Sequence, residues 1–252
     1  MNQNKNLKYF YNKVYIKGEK KHFTIKREST SLSEIKEVLK QVSWKNKKVL
    51  DVGCGTGLFA YNAAKKGATV LGIDFSTEAI EIANSQYTHK NLKFQSMDVN
   101  EIKEKFDVIV SNGTLEHMDN PLKSLKLFKK HLTTNGCIIT TSPNWSNPRG
   151  YMLMPLLLLF NAPITLADLH YFTPVDFKNF SKKLDMSLSW KTFDKSWSHG
   201  DILVEDFKKR LPNVLRDSNL PNNKKNVDLL IKWIQNNINK LNHDLPHSGA
   251  TG

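Results

Sequence analysis

Arginine, cysteine, acidic residues and long apolar runs are all scarce in this 252-residue chain. Only Arg27, Arg149, Arg210 and Arg216 stand beside 33 lysines. Dedicated readers of phosphates or base edges favour the bidentate arginine fork, so few are available here. The two cysteines, Cys54 and Cys137, lie in apolar segments and form no CxxC pair. That excludes a disulfide scaffold and fits a reducing, cytoplasmic compartment. The longest apolar run, residues 151–160, is broken by Pro155. It is half of the about 20 residues a membrane span needs. The opening MNQNKNLKYF has no apolar core of a signal peptide. Collagen, mucin and coiled-coil compositions are excluded as well.

Acids number 24 against 37 basic residues, for a net charge of +13. Most of the excess lies in residues 1–48, where thirteen lysines and arginines face Glu19, Glu28, Glu34 and Glu37. Such a surface suits anionic lipid, nucleic acid or a phosphorylated substrate. The lysine and asparagine richness reads equally as a general compositional bias. Nucleic acid is therefore not a required partner.

What is present is an alternation of periods. A helix is expected over 33–42. Strands follow at 48–52, 69–73, 92–96, 106–111 and 137–141, with helices at 58–66, 77–86 and 121–131 between them. Strands alternating with helices of this length imply an α/β, Rossmann-like, doubly wound and mostly parallel sheet. After residue 142 the pattern changes. Another helix is expected at 174–184 and a strand at 187–193. Residues 200–243 read as helical, with Val227, Leu230, Ile231, Ile234, Ile238 and Leu241 as an apolar stripe for packing. The organisation expected is a helical segment over 1–44, a core over 45–193 with a lid inserted at about 143–173, and a helical elaboration over 194–252.

The segment V-L-D-V-G-C-G-T-G, residues 49–57, is a strand, a tight glycine turn and a helix start. Gly53, Gly55 and Gly57 let the backbone bend and a ligand approach. The spacing GxGxG differs from the GxGxxG of dinucleotide-binding domains. Asp51 repels pyrophosphate and favours a cationic or amine-bearing ligand. Asp74 closes the second strand, 17 residues after Gly57, where a carboxylate suits a ribose diol. Asp98 closes the third, where it can accept a hydrogen bond from an exocyclic amine. Each acid alone also reads as a helix cap. Three in register with one glycine turn read as the rim of a binding site.

On these residues the chain resembles the class I S-adenosylmethionine-dependent methyltransferases, over residues 48–193. The resemblance implies S-adenosylmethionine as cofactor. It places the methionine part on the loop Gly53–Gly57 with Cys54, the ribose on Asp74, and the adenine by Phe75, Asp98 and Val99. Asn112 is implied beside the cofactor, and Arg27 is a candidate partner for its carboxylate. The family usually ends with an antiparallel strand next to the sixth. No apolar strand follows Ser248 here, so that strand is expected to be absent or cut off.

The motif S-N-G-T-L-E-H-M-D-N-P, residues 111–121, follows the fourth strand. His117 is of the side-chain type that titrates nearest neutrality, suited to take a hydroxyl proton. Glu116 can orient it. The L-E-H element is similar to that of ubiquinone-biosynthesis O-methyltransferases and small-RNA 2′-O-methyltransferases. There a further glutamate completes a metal site. Here that position is Gly113, so no metal is assigned. His170 and Tyr171 are candidates for substrate contact, or simply residues of a capping turn. The apolar run near 152–160 reads as a buried lid helix, a wall for a lipid substrate, or a peripheral membrane contact.

The reaction expected is methyl transfer to a hydroxyl of a small molecule, such as a quinone precursor, a sugar or a lipid-linked metabolite. N- or C-methylation, RNA modification and a non-enzymatic binding module are the alternatives. Oligomeric state is not legible.

Overall fold

The computed structural model describes residues 28–165, 168–238 and 248–252. Within them the chain forms two compact units, Ser31–Ser142 and residues 28–30 with Pro143–Gly252, each taken by itself below. Helix α1 (Glu28–Val38) starts and ends earlier than the expected 33–42.

The first unit is a five-stranded sheet. Its strands are β1 (Lys48–Val52), β2 (Thr69–Asp74), β3 (Leu92–Ser96), β4 (Phe106–Asn112) and β5 (Leu132–Thr141), in the order β3-β2-β1-β4-β5. Every pairing is parallel. Helices α2 (Leu58–Lys65), α3 (Thr77–Gln86) and α4 (Pro121–Lys130) make the crossovers that parallel neighbours require. Val49, Leu50, Val108, Ile109 and Val110 are fully buried. Continuous apolar strands of this kind belong to a sheet covered on both faces. One face packs Phe59, Ala60, Ala63 and Ala64 of α2 with Val38, Trp44 and Phe94.

The helix starts follow local chemistry. Ser76 caps α3 by accepting from Ala79 N, and Asn120 caps α4 ahead of Pro121. Strand β5 is longer than the expected 137–141. Phe106 pairs Leu132 but Val108 pairs Cys137, so an irregularity in β5 absorbs the segment before Gly136. Gly136 lies inside β5 next to this irregularity, where a side chain would crowd Leu132 and the Asp107 carbonyl.

The second unit is helical: α5 (Pro148–Phe160), α6 (Pro174–Leu184), α7 (Lys195–His199), α8 (Asp201–Asp217) and α9 (Lys224–Asn237). Its core joins Leu153, Ile164, Leu203, Phe207, Leu211 and Val214 to Val227, Ile231 and Ile234. Of the expected stripe, Leu230 lies exposed, and Leu241 falls outside the described residues. In the same core Arg210 makes a bidentate pair with Asp206, Nε to Oδ2 at 2.6 Å and Nη2 to Oδ1 at 2.8 Å. Its Nη1 donates to the Ile164 carbonyl.

Residues 187–192 form no strand, which corrects the expected 187–193. Instead Thr251 makes single antiparallel bridges to both Phe193 and Pro143. Gly249 permits this close approach, since a Cβ there would strike the Phe193 backbone. The segment after Ser248 thus pairs in the antiparallel sense, one residue wide.

Candidate active site

Strand order reverses between β1 and β4, and ligands of open parallel sheets bind beyond the carboxyl ends at that point. Two glycines leave the sheet there with left-handed backbones, Gly53 at φ +71° and Gly113 at φ +55°. A Cβ on Gly53 would lie 2.5 Å from the Thr114 side chain, so the loops after β1 and β4 touch. Gly53 N and Cys54 N both donate to the Ile73 carbonyl, which ties the glycine loop to β2. Gly57 (φ +86°) is the N-cap of α2, and a side chain there would strike the Phe94 ring.

Asp51 and Asp74 lie beside this loop. Asp51 is 1% exposed, and its Oδ2 has no hydrogen-bond partner. Burial and then the charge of Asp74 push its carboxyl up to about 8. Asp74 accepts from Gly55 N at 3.0 Å through Oδ2 and from Ser76 N at 2.9 Å through Oδ1. Burial raises its pKa despite those bonds. Two acids buried together, one with an open oxygen, leave the loop short of positive charge. Cys54 is half-buried, and burial followed by the two carboxylates raises its thiol pKa far above the ordinary value. It therefore stays protonated and is no nucleophile.

Phe75 is half-buried directly after Asp74. Met97 N donates to the Asp74 carbonyl and joins the ends of β2 and β3. Asp98 is exposed and caps the short 3-10 turn Val99–Glu101, with Oδ1 accepting from Asn100 N at 2.8 Å and Asp98 N donating to Glu101. Val99 is the first residue of that turn and is half-buried. Asn112 ends β4 with its Nδ2 buried and without a partner. Arg27 lies outside the described residues.

Glu116 and His117 share the 3-10 turn Leu115–His117, Glu116 buried and His117 half-buried. Gly113 sits one turn earlier. A Cβ on it would meet Glu116 Oε1 at 3.8 Å, an ordinary contact, so its left-handed backbone rather than crowding is what favours glycine. Among the described residues no three His, Cys, Asp or Glu side chains group to hold a metal ion. Sequence reasoning missed a neighbouring cluster. The Thr141 hydroxyl donates to Glu34 of α1 and accepts from Gly113 N at 3.1 Å, next to Asn112 Oδ1 at 3.4 Å. Glu34 is 107 residues from Thr141, so no local spacing signals the pair.

His170 and Tyr171 belong to the second unit. His170 stacks on Phe172 at 5.5 Å. Tyr171 meets Trp145 edge-on at 5.0 Å, and its hydroxyl lies 3.3 Å from Thr165 Oγ1. Both are held by aromatic packing in that unit.

Residues 43–200, more than half of the chain, match the methyltransferase domain family. The chain belongs to that family. Its fold is the Rossmann-like one of the class I S-adenosylmethionine-dependent methyltransferases. It is 36% identical over 118 residues to the ubiquinone biosynthesis O-methyltransferase of Haemophilus ducreyi, covering 43% of this methyltransferase and 50% of that protein. Against the Coxiella burnetii protein of the same name the identity is 35% over 97 residues, covering 36% and 42%. The chain spans about half the length of the curated relatives it matches. Magnesium protoporphyrin IX methyltransferase of Synechocystis PCC 6803, solved with bound S-adenosylmethionine, superposes with a TM-score of 0.52 at 14% identity. That alignment covers 76% of this chain and 89% of that one, and it speaks to the fold alone.

Proposed function

We propose that this methyltransferase methylates a hydroxyl of a small molecule with S-adenosylmethionine as donor. The observation that carries the reading is Asp51, a buried carboxylate with an open oxygen beside a second buried acid. Such a site favours a cation and repels pyrophosphate, which disfavours a nicotinamide dinucleotide. Asn112 Nδ2 adds a buried donor in need of an acceptor. An ammonium, a sulfonium and a carboxylate on one ligand meet both needs. When bound, S-adenosylmethionine supplies an electrophilic methyl on a positively charged sulfur.

In this reading the protein contributes position and electrostatics. Asp51 faces the cationic part of the donor, and the backbone of Gly53, Cys54, Gly55 and Gly57 leaves room for it. Asp74 takes the ribose hydroxyls, held in place by Gly55 N and Ser76 N. Phe75, Asp98 and Val99 line the adenine. His117 removes the acceptor's hydroxyl proton, and Glu116, buried on the same turn, fixes the imidazole. The ubiquinone-biosynthesis relatives support a hydroxyl acceptor, through a match that spans half their length.

The test is turnover with a panel of phenols and catechols, set beside the affinity for S-adenosylhomocysteine. His117→Ala is expected to lower kcat by about 10²–10⁴-fold and to leave that affinity within about twofold. Near-normal turnover removes the base. An N- or C-methylation would give that result, because it needs no hydroxyl deprotonation.

A further inference from the structure

Helix α9 lies beyond the residues that match the methyltransferase family. Its inner face is accounted for: Val227, Ile231 and Ile234 are buried in the core of the second unit. At about 3.6 residues per turn, positions 225, 229, 232 and 233 fall on the opposite face. That face is neither plainly polar nor plainly apolar. Leu229 is 56% exposed and Trp233 53%, one turn apart, with Leu230 exposed at their side. Lys225 and Lys232 flank them. A shallow surface depression of about 390 Å3 is lined by Lys224, Lys225, Asp228, Leu229 and Lys232. Three ammonium groups against one carboxylate make it a seat for an anion.

We propose that the outward face of α9 docks on an anionic phospholipid surface. A tryptophan and leucines between lysines match the water–membrane interface, where the rings and chains enter the headgroup boundary and the ammonium groups meet phosphate. Charge complementarity chooses the occupant. A second copy of this chain would oppose lysines to lysines, and the whole chain carries +13. An anionic bilayer instead attracts each lysine near its surface. No helix among the described residues is long and apolar enough to cross a membrane. This surface stands independently of the methyl-transfer reading, since it is read from a different helix.

Flotation of the full chain with vesicles tests it. The vesicles are phosphatidylglycerol mixed with phosphatidylcholine, and phosphatidylcholine alone. Binding is expected only to the former and to weaken with salt. Each of Lys224→Glu, Lys225→Glu and Lys232→Glu is expected to lower partitioning at least about fivefold. Trp233→Ser is expected to lower it more than Trp233→Phe. All four sites are exposed, so the melting temperature is expected to hold and report intact folding. Helix α5 also exposes Leu158 and Leu159 and serves as the competing surface. No flotation with phosphatidylglycerol overturns the proposal. So does binding that ignores the α9 substitutions but is lost in Leu158→Ser/Leu159→Ser, and so does equal binding to neutral vesicles.

Discussion

Each unit buries an aspartate, and the two aspartates, Asp206 and Asp51, are treated in opposite ways. In the second unit Asp206 is fully buried, and both of its oxygens accept from Arg210. The neighbouring Arg149 is buried over the Trp145 ring at 4.6 Å, and burial followed by the charge of Arg210 lowers its pKa to about 10, while Asp206, Asp168 and Asp194 hold it up. In the first unit Asp51 is equally buried, but its nearest charged neighbour is another acid, and Oδ2 has no partner. The Asp206–Arg210 pair is complete as protein, whereas Arg149 Nε is buried without a hydrogen-bond partner. The Asp51 arrangement is incomplete until something positive arrives. Asp206 with its partner belongs to the core packing, and Asp51 without one is a candidate ligand contact.

Substitutions can break this contrast, starting with the completed pair. Asp206→Ala strands Arg210 in the core and is expected to destabilise by about 3–5 kcal/mol, read by urea denaturation. A change within about 1 kcal/mol would mean that Arg210 is otherwise satisfied. Gly57→Ala attacks the loop that holds the incomplete site. It forces an alanine into a left-handed backbone and against Phe94, with an expected cost of about 2–4 kcal/mol by the same assay.

Asp51→Asn is expected to act the other way. The carboxyl titrates near its ordinary acidic value when unfolded and near 8 when folded. Between those values the folded chain keeps a proton that the unfolded chain has released. Stability from this group is therefore full in acid and lost as pH rises toward 8. The ligand-free protein is expected to melt lower at pH 8 than at pH 5. Asp51→Asn is expected to flatten that slope and to gain about 1–3 kcal/mol at pH 8. A slope unchanged by the substitution would locate the titration elsewhere.

How legible each region was in sequence follows from the range of its interactions. The glycine loop is local: the spacing of Gly53, Gly55 and Gly57 after an apolar strand implies the turn, and the backbone there is left-handed at all three. The parallel sheet follows from alternating periods. Asp98 shows where local reasoning thins out. A strand-end acid and a helix cap look identical in sequence, and here the carboxylate does cap a turn. The Glu34–Thr141 contact is invisible because it joins a helix to a strand end far along the chain. The expected strand at 187–193 failed because no apolar strand lies beside it among the described residues. Thr251 supplies only one residue of pairing to Phe193.

The most direct measurement is calorimetric titration of the chain with S-adenosylmethionine at pH 7, in two buffers of different ionisation enthalpy. A cation beside Asp51 lowers its carboxyl pKa, so binding at pH 7 is expected to release protons. Asp51→Asn is expected to bind more weakly and release none. Tight binding without proton release, or no binding at all, would contradict the claim that the unpartnered acid is the seat of a cationic donor.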